Sequence, residues 1–466
     1  CCLVSLSAAG NNPEKPVKEF AHPERVRYDG SCMTIDGRDV FIYSAAFHYF
    51  RCPEELWRDR FRKIKAAGFN TVETYVPWNR HERSMPSGLD DTTRFDFSEI
   101  RRWLEMAQEE FGLYTIVRPG PFICAEYSGG AYPRWLARFR PDDVGGLWLR
   151  SADQTHVRWC VHWFDAVCKA LADEQITRKP AGKKGIILIQ IENEYNAHGC
   201  DNKEYFLKEL YRSVRRNGFD VPVFTCLTGE CRGSSDKELS QVFDCDNYYV
   251  GLSDAPSCAY RMSDLRRAQP DAPGFVTELQ GGWFSLVTGS LSEDHYSDER
   301  HFKAVGLMSI LGGATGLNYY MFCGGTHFEG WGARGMTTSY DYNAAIRESG
   351  ASGPKYYAAA GAFGGRPLPH GGCAEGALRR SACGRRRHPL RLPAQYRSRQ
   401  SVEGYRHTRP GCRDQTFGAD VQHRPERQQG AHRRRRGLGG RLVAGRPHRG
   451  EVRPAGGDPE RHHLPA

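Results

Sequence analysis

Hydrophobic positions keep two rhythms between residues 37 and 345. Short apolar runs, rich in β-branched and aromatic residues, recur at 40–47 (VFIYSAAF), 71–77 (TVETYVP), 114–118 (YTIVR), 185–191 (GIILIQI), 221–225 (VPVFT), 246–250 (DNYYV), 274–278 (GFVTE) and 316–321 (GLNYYM). Runs of this kind, without a helical polar face, read as strands buried on both sides. Between them, apolar residues fall three and four apart at 53–69, 98–112, 155–175, 202–219 and 298–313. The first of these has Pro near its start and Gly near its end, the usual helix punctuation. The fifth and sixth connections are weakly marked. Eight strands with intervening helices over about 280 residues predict an α/β fold, a (β/α)8 TIM barrel. A doubly wound sheet would want a glycine-rich phosphate loop after its first strand, and AAFHYFRCP is not one.

The pattern stops near residue 360. Residues 361–466 hold 23 Arg, no Lys and 8 acidic residues, a net of +15, while residues 1–360 carry 42 basic and 47 acidic groups, a net of −5. The overall charge of +10 therefore comes from the last quarter alone, and the body is mildly acidic. That quarter also lacks Ile, Asn, Met and Trp. Three readings compete for it: a disordered tail that binds phosphate backbones, an inert solvated linker, or a GC-rich gene read out of frame. The missing residue types are mostly those with A/T-rich codons, which favours the last. The expected organisation is an N-terminal segment at 1–30 (a signal-peptide remnant or linker), a catalytic barrel at 31–360, and a disordered or mistranslated Arg/Gly-rich tail at 361–466.

Sixteen cysteines show no Cys-x-x-Cys spacing and no neighbouring His cluster, so no metal site is expected. Disulfides among Cys200, Cys226, Cys231, Cys245 and Cys258 are compatible with an exported protein; most of the others read as small buried hydrophobes. The opening CCLVSLSAAGNN resembles the end of a secretory signal, which predicts export and leaves Cys1 and Cys2 open to a lipid anchor. No run of 18 apolar residues occurs, so no transmembrane segment is expected.

Candidate chemistry comes from the strand ends, where such barrels build their sites. There stand His48-Tyr49-Phe50-Arg51, YVPWNRHE (75–82), RPGPFICAEYSGG (118–130), IENEYN (191–196), TELQGGWF (277–284) and YMFCGGTHF (320–328). Aromatic rings can cover the C–H faces of a sugar while amides and carboxylates take its hydroxyls. Each feature also has a plainer reading. A lone Trp or Tyr is more often core, Arg118 with Glu73 reads as a structural barrel ion pair, and Glu192 as the buried partner of an Arg. That reading is weaker for Glu194 and Glu278, which end the fourth and seventh strands across the barrel mouth. Two carboxyls so placed can flank one glycosidic bond.

QIENEY, YVPWNRHE, RPGPFICAE, TELQGGWF and NYYMFCGGTHF together resemble glycoside hydrolase family 35, the β-galactosidases of the large retaining-glycosidase clan, from about Ile35 to Tyr357. The resemblance implies an exo-acting retaining β-galactosidase, with Glu194 as acid/base and Glu278 as nucleophile. It further implies that Asn193 binds the sugar 2-hydroxyl. The remaining pocket would come from Tyr75, Cys124, Ala125, Glu126, Trp283, Tyr320, Tyr340 and Tyr342. No cofactor is implied, and the expected partner is a β-galactoside oligo- or polysaccharide, not nucleic acid. Tyr127 replaces a common Trp and ELQGGW an aromatic-rich run, departures expected to border the leaving-group side. The β-rich domains that the family appends after its barrel have no match in the tail. Alternatives are another exo-β-glycosidase of the clan, acting on glucosamine or glucose, and an inactive carbohydrate-binding barrel.

The tail has too few large apolar side chains to offset an ordering cost of about 1–2 kcal/mol per residue. Limited proteolysis should therefore trim the chain to near Tyr357 and leave a core of about 350 residues. A protease-resistant fragment from within 370–466 would contradict this.

Overall fold

The computed structural model describes residues 16–138, 149–195 and 202–363. The described residues belong to one unit, Cys1–Arg387; residues 388–466 lie wholly outside the described residues. Outside them too fall the expectations for the tail beyond residue 363, for the leader and lipid anchor at residues 1–15, and for Cys200.

Eight parallel strands close into a barrel: β1 (Ile42–Ala46), β2 (Thr71–Tyr75), β3 (Tyr114–Arg118), β4 (Ile186–Gln190), β5 (Val223–Cys226), β6 (Val242–Tyr248), β7 (Phe275–Gln280) and β8 (Gly316–Tyr320). They hydrogen-bond in sequence order and β8 pairs with β1. All eight predicted strands are present; β6 begins four residues earlier than its apolar run suggested. Every residue of seven strands is buried, and only Tyr114 at the start of β3 is less so. This explains the continuous apolar text in place of alternation: core side chains press on one face and helices on the other.

The longer helices are α1 (Glu54–Ala66), α2 (Ser98–Glu105), α3 (Gln154–Leu171), α4 (Lys203–Arg216), α5 (Ser257–Ala268), α6 (Glu299–Leu311) and α7 (Pro354–Phe363). α2 runs on into a π-helical turn at Met106–Glu110. Local chemistry sets their ends. Asp153 caps α3 by accepting from His156 N, and Asp298 caps α6 by accepting from Arg300 N and His301 N. α5 fills the sixth connection, which the pattern had marked only weakly. The fifth carries a 3-10 turn, Leu239–Gln241, among its described residues. A three-stranded antiparallel sheet (Val26–Tyr28, Met33–Ile35, Arg38–Val40) precedes the barrel, and Tyr28 meets Phe243 edge-on at 4.9 Å between ring centres. Its three-residue strands are too short to leave a readable period.

The disulfide expectation is not met. Ten described cysteines are free, including Cys226, Cys231, Cys245 and Cys258, which are buried. No described helix is long and apolar enough to cross a membrane.

One buried charge pair fastens the long connection after β2. Glu82 accepts from Trp78 Nε1 at 2.7 Å and stands 2.9 Å from His162 Nε2, while His162 Nδ1 lies 2.7 Å from the Leu89 carbonyl. Burial opposes charge on His162, but Glu82 and the Leu89 carbonyl outweigh it and raise its pKa. A raised histidine pKa contributes stability in full below the unfolded value of about 6.5, and loses it as pH climbs through the folded value. His162→Gln should therefore lower unfolding free energy by roughly 1.5–3 kcal/mol at pH 5.5, with the gap narrowing by pH 8.5. Denaturant titrations that show a constant or widening gap would contradict the pairing.

Candidate active site

Polar side chains replace the apolar core at the C-terminal end of the barrel. On β3 the Arg118 guanidinium, fully buried, donates from Nε to Gln190 Oε1 at 2.6 Å. Its Nη2 donates to Asn193 Oδ1 at 2.8 Å and to Glu278 Oε1 at 2.7 Å. The Tyr75 ring lies 4.1 Å from the guanidinium carbon. Glu73 faces the other side, 3.6 Å from Nη1, which is ion-pair distance but no hydrogen bond. The expected Arg118–Glu73 pair thus exists, yet Arg118 is more than a structural partner. Its closest carboxylate contact is with Glu278.

A bulge presents Glu278. Between Val276 and Leu279, β7 slips register against both β6 and β8, the device that turns one side chain out of a regular pleat. Three donors then converge on its carboxylate. Oε1 accepts from Tyr75 and Arg118, and Oε2 from the Tyr249 hydroxyl at 2.6 Å. A carboxylate anion is the acceptor that suits such a set.

Glu192, Asn193 and Glu194 form a tight corner after β4. Both glutamates have left-handed backbone, at φ 54° and 51°, a conformation that non-glycine residues adopt at a cost of about 1 kcal/mol or more. Glu192 is fully buried and holds this corner. Its Oε2 accepts from Arg150 Nη2 at 2.7 Å and from Asn193 N at 2.9 Å, and the same Nη2 donates to the Asn193 carbonyl at 2.8 Å. Asn193 Oδ1 accepts from Arg118 and Gln190 and lies 2.8 Å from the Tyr75 oxygen, whose single hydrogen goes to Glu278; among the described residues nothing accepts from its Nδ2. Glu194 is aimed the other way, with Oε1 accepting from Asn247 Nδ2 at 2.8 Å. Burial first, then the charge of Glu278, push the Glu194 carboxyl up to about 7, against the Asn247 hydrogen bond.

The other predicted pocket residues gather here. Cys124, Ala125 and Glu126 occupy three successive left-handed positions. Burial and the charges of Glu126, Glu194 and Glu278 raise the Cys124 thiol, so it stands within the field of all three. Glu126 accepts from the Tyr340 hydroxyl, and burial lifts its carboxyl to about 7. Arg51 donates to the Ala125 carbonyl and stacks 3.9 Å over Tyr340. Tyr320 shares a 3.1 Å hydroxyl contact with Tyr340 and meets Tyr342 edge-on at 5.7 Å. Trp283, partly exposed, lies edge-on to Tyr249 at 5.6 Å. The Gly281-Gly282 pair of ELQGGW has a steric reason: a Cβ on Gly282 would lie 1.7 Å from the Tyr342 carbonyl oxygen, and one on Gly281 2.4 Å from that of Met321.

Tyr127, expected to border the leaving-group side, is nearly buried. It is 4% exposed, with its ring packed against Phe50 and stacked on Trp331 at 5.9 Å. Its ring is part of the packing there and offers almost no exposed surface. Sequence reasoning also missed Asn247 and Tyr249. The signal was present in DNYYV, whose alternate residues at the end of β6 are Asn247 and Tyr249.

The profile described as "Glycosyl hydrolases family 35" matches residues 32–362. A "Beta-galactosidase" of Pongo abelii is 30% identical over 345 residues, 72% of this chain and 47% of its own. "Beta-galactosidase-1-like protein 3" of Mus musculus is 30% identical, over 72% of this chain and 49% of its own. "Probable beta-galactosidase C" of Aspergillus niger is 32% identical, over 70% and 33%. The chain spans about half the length of the first two and a third of the last.

Asn247 donates to Glu194 and so favours its ionised form. Asn247→Ala should raise the Glu194 midpoint by about half a unit or more. Infrared titration of the carboxyl band, referenced to Glu194→Gln, reads this directly. A midpoint that stays or falls would show that Asn247 does not act on Glu194.

Proposed function

The chain belongs to glycosyl hydrolases family 35, and on that premise we propose that it is an exo-acting, retaining β-galactosidase. It removes terminal non-reducing β-D-galactose from oligo- or polysaccharides by double displacement. The observation that carries this reading is the unequal treatment of two carboxyls at one barrel mouth. Glu278 receives three donors, whereas Glu194 is held up near 7 by burial and by the charge of Glu278.

Retention needs one carboxylate to attack and one acid to protonate, about 5–5.5 Å apart. In this reading Glu278 attacks the anomeric carbon and displaces the leaving oxygen, which takes the proton of Glu194. The glycosyl ester that forms on Glu278 carries no charge, so the repulsion that had raised Glu194 is gone and its pKa falls. Glu194 is then a better base and takes a proton from the water that releases the sugar. The free amide side of Asn193 is the donor for the 2-hydroxyl. Tyr75, Cys124, Ala125, Glu126, Trp283, Tyr320, Tyr340 and Tyr342 enclose the galactose, the aromatic rings taking its apolar face. The two carboxyls supply the acid, base and nucleophile that the reaction requires, with no cofactor.

Because hydrolysis passes through two inversions, the first-formed sugar keeps its anomeric configuration. Proton NMR during early hydrolysis of an aryl β-galactoside should show β-galactose before mutarotation. Release of α-galactose first would overturn the double displacement, and hydrolysis of β-glucosides or β-glucosaminides alone would overturn the galactose assignment.

A further inference from the structure

Lys355 is a buried lysine that the proposed reaction does not use. It stands on α7 and is 4% exposed. Its Nζ donates to the Gly281 carbonyl at 2.8 Å, to the Asn343 carbonyl at 2.8 Å, and reaches Ser297 Oγ at 3.4 Å. All three partners are neutral. Burying an ammonium on neutral acceptors is costly.

The two carbonyls belong to separate segments that meet at the pocket. Gly281 lies three residues past Glu278 and leads to Trp283. Asn343 follows Tyr342, and both have left-handed backbone, at φ 46° and 61°. The segments touch through Trp283 N, which donates to the Tyr342 carbonyl at 3.0 Å, and through the close approach of Gly282 to that same carbonyl. Lys355 adds a second tie, from behind, between the same two segments.

We infer that Lys355 is a positioning residue for the sugar pocket, clamping the Gly281–Trp283 and Tyr342–Asn343 segments together so that Trp283 and Tyr342 form one continuous wall. The inference rests on the galactosidase reading and gives that site a charge-dependent wall. Burial, followed by the charge of Arg347, lowers Lys355 to about 7, while Asp298, Asp341 and Glu299 act the other way. His295, stacked on Trp283, and His301 on α6 also feel its charge. Below about 7 the ammonium has a hydrogen for each of its three acceptors. Above it the amine has two, still one for each carbonyl, but its hydrogen bonds are no longer charge-assisted and are weaker.

The test compares wild type, Lys355→Met and Lys355→Gln on an aryl β-galactoside from pH 5.5 to 8.5. Expressing each result as a variant-to-wild-type ratio cancels the titrations of Glu194 and Glu126. At pH 5.5 Lys355→Met should raise KM roughly tenfold with kcat within about threefold. The KM ratio should shrink toward pH 8.5, and Lys355→Gln, a neutral donor, should recover part of the loss. An unchanged KM, a pH-independent ratio, or a loss confined to kcat would overturn the clamp. If Lys355→Met does not fold, the Lys355→Gln ratio carries the same test. A wild type that hydrolyses no β-galactoside would sink the galactosidase reading instead. The clamp is then judged from the near-ultraviolet dichroism band lost in Trp283→Phe, which should differ between wild type and Lys355→Gln at pH 5.5 and converge at pH 8.5. Identical bands at both pH values would overturn it.

Discussion

The open end of the barrel is organised around one guanidinium. Arg118 holds a permanent charge at a position with no solvent exposure, and a charge so placed must be matched on several sides. Glu73 from β2, Gln190 from β4, Asn193 beyond it and Glu278 from β7 supply the match. Four parts of the barrel are thereby tied to one planar group with fixed donor directions. The same bonds orient the Asn193 amide and hold Glu278 beside Tyr75. Removal of Arg118 would strand two carboxylates at once, so its structural and chemical roles cannot be separated.

The two glutamates that end an apolar strand have different explanations. Glu192 is bound to Arg150 and to the backbone of its own neighbour, and so fixes a strained corner. Glu194 receives one neutral donor, and burial with like charge outweighs both that donor and the charge of Arg118. A two-residue step between left-handed positions sends one carboxyl into the fold and the other to the barrel mouth. The residue between them, Asn193, joins this corner to the Arg118 network. A strained backbone is tolerated here because hydrogen bonds on both sides over-determine it.

Much of this was legible in the sequence because a parallel barrel writes plainly. Strands buried on both faces must be apolar throughout, crossovers must be amphipathic, and sites must lie at strand ends. GIILIQIENEY shows all of this in one line. Less legible was whatever depends on which neighbour a side chain meets. Arg118 and Glu73 were read as a pair because both sit on strands, yet the decisive partner comes from β7, 160 residues away. Tyr249 and Asn247 look like ordinary strand residues until the bulge in β7 brings Glu278 beside them. Tyr127 follows a pocket motif and was expected at the leaving-group side, but after the turn at Cys124–Glu126 its ring packs against Phe50 and Trp331. The short strands before β1 carry too few residues for a period.

The central claim is a division of labour between Glu278 and Glu194, and trapping the glycosyl-enzyme tests it most directly. A 2-deoxy-2-fluoro-β-galactoside with a good leaving group slows both steps, the second more, so that the ester accumulates. Peptide mass mapping of the trapped protein should place one deoxyfluorogalactosyl group on Glu278, in the segment GFVTELQ. A label on Glu194, on Glu126 or on no carboxyl at all would contradict the account.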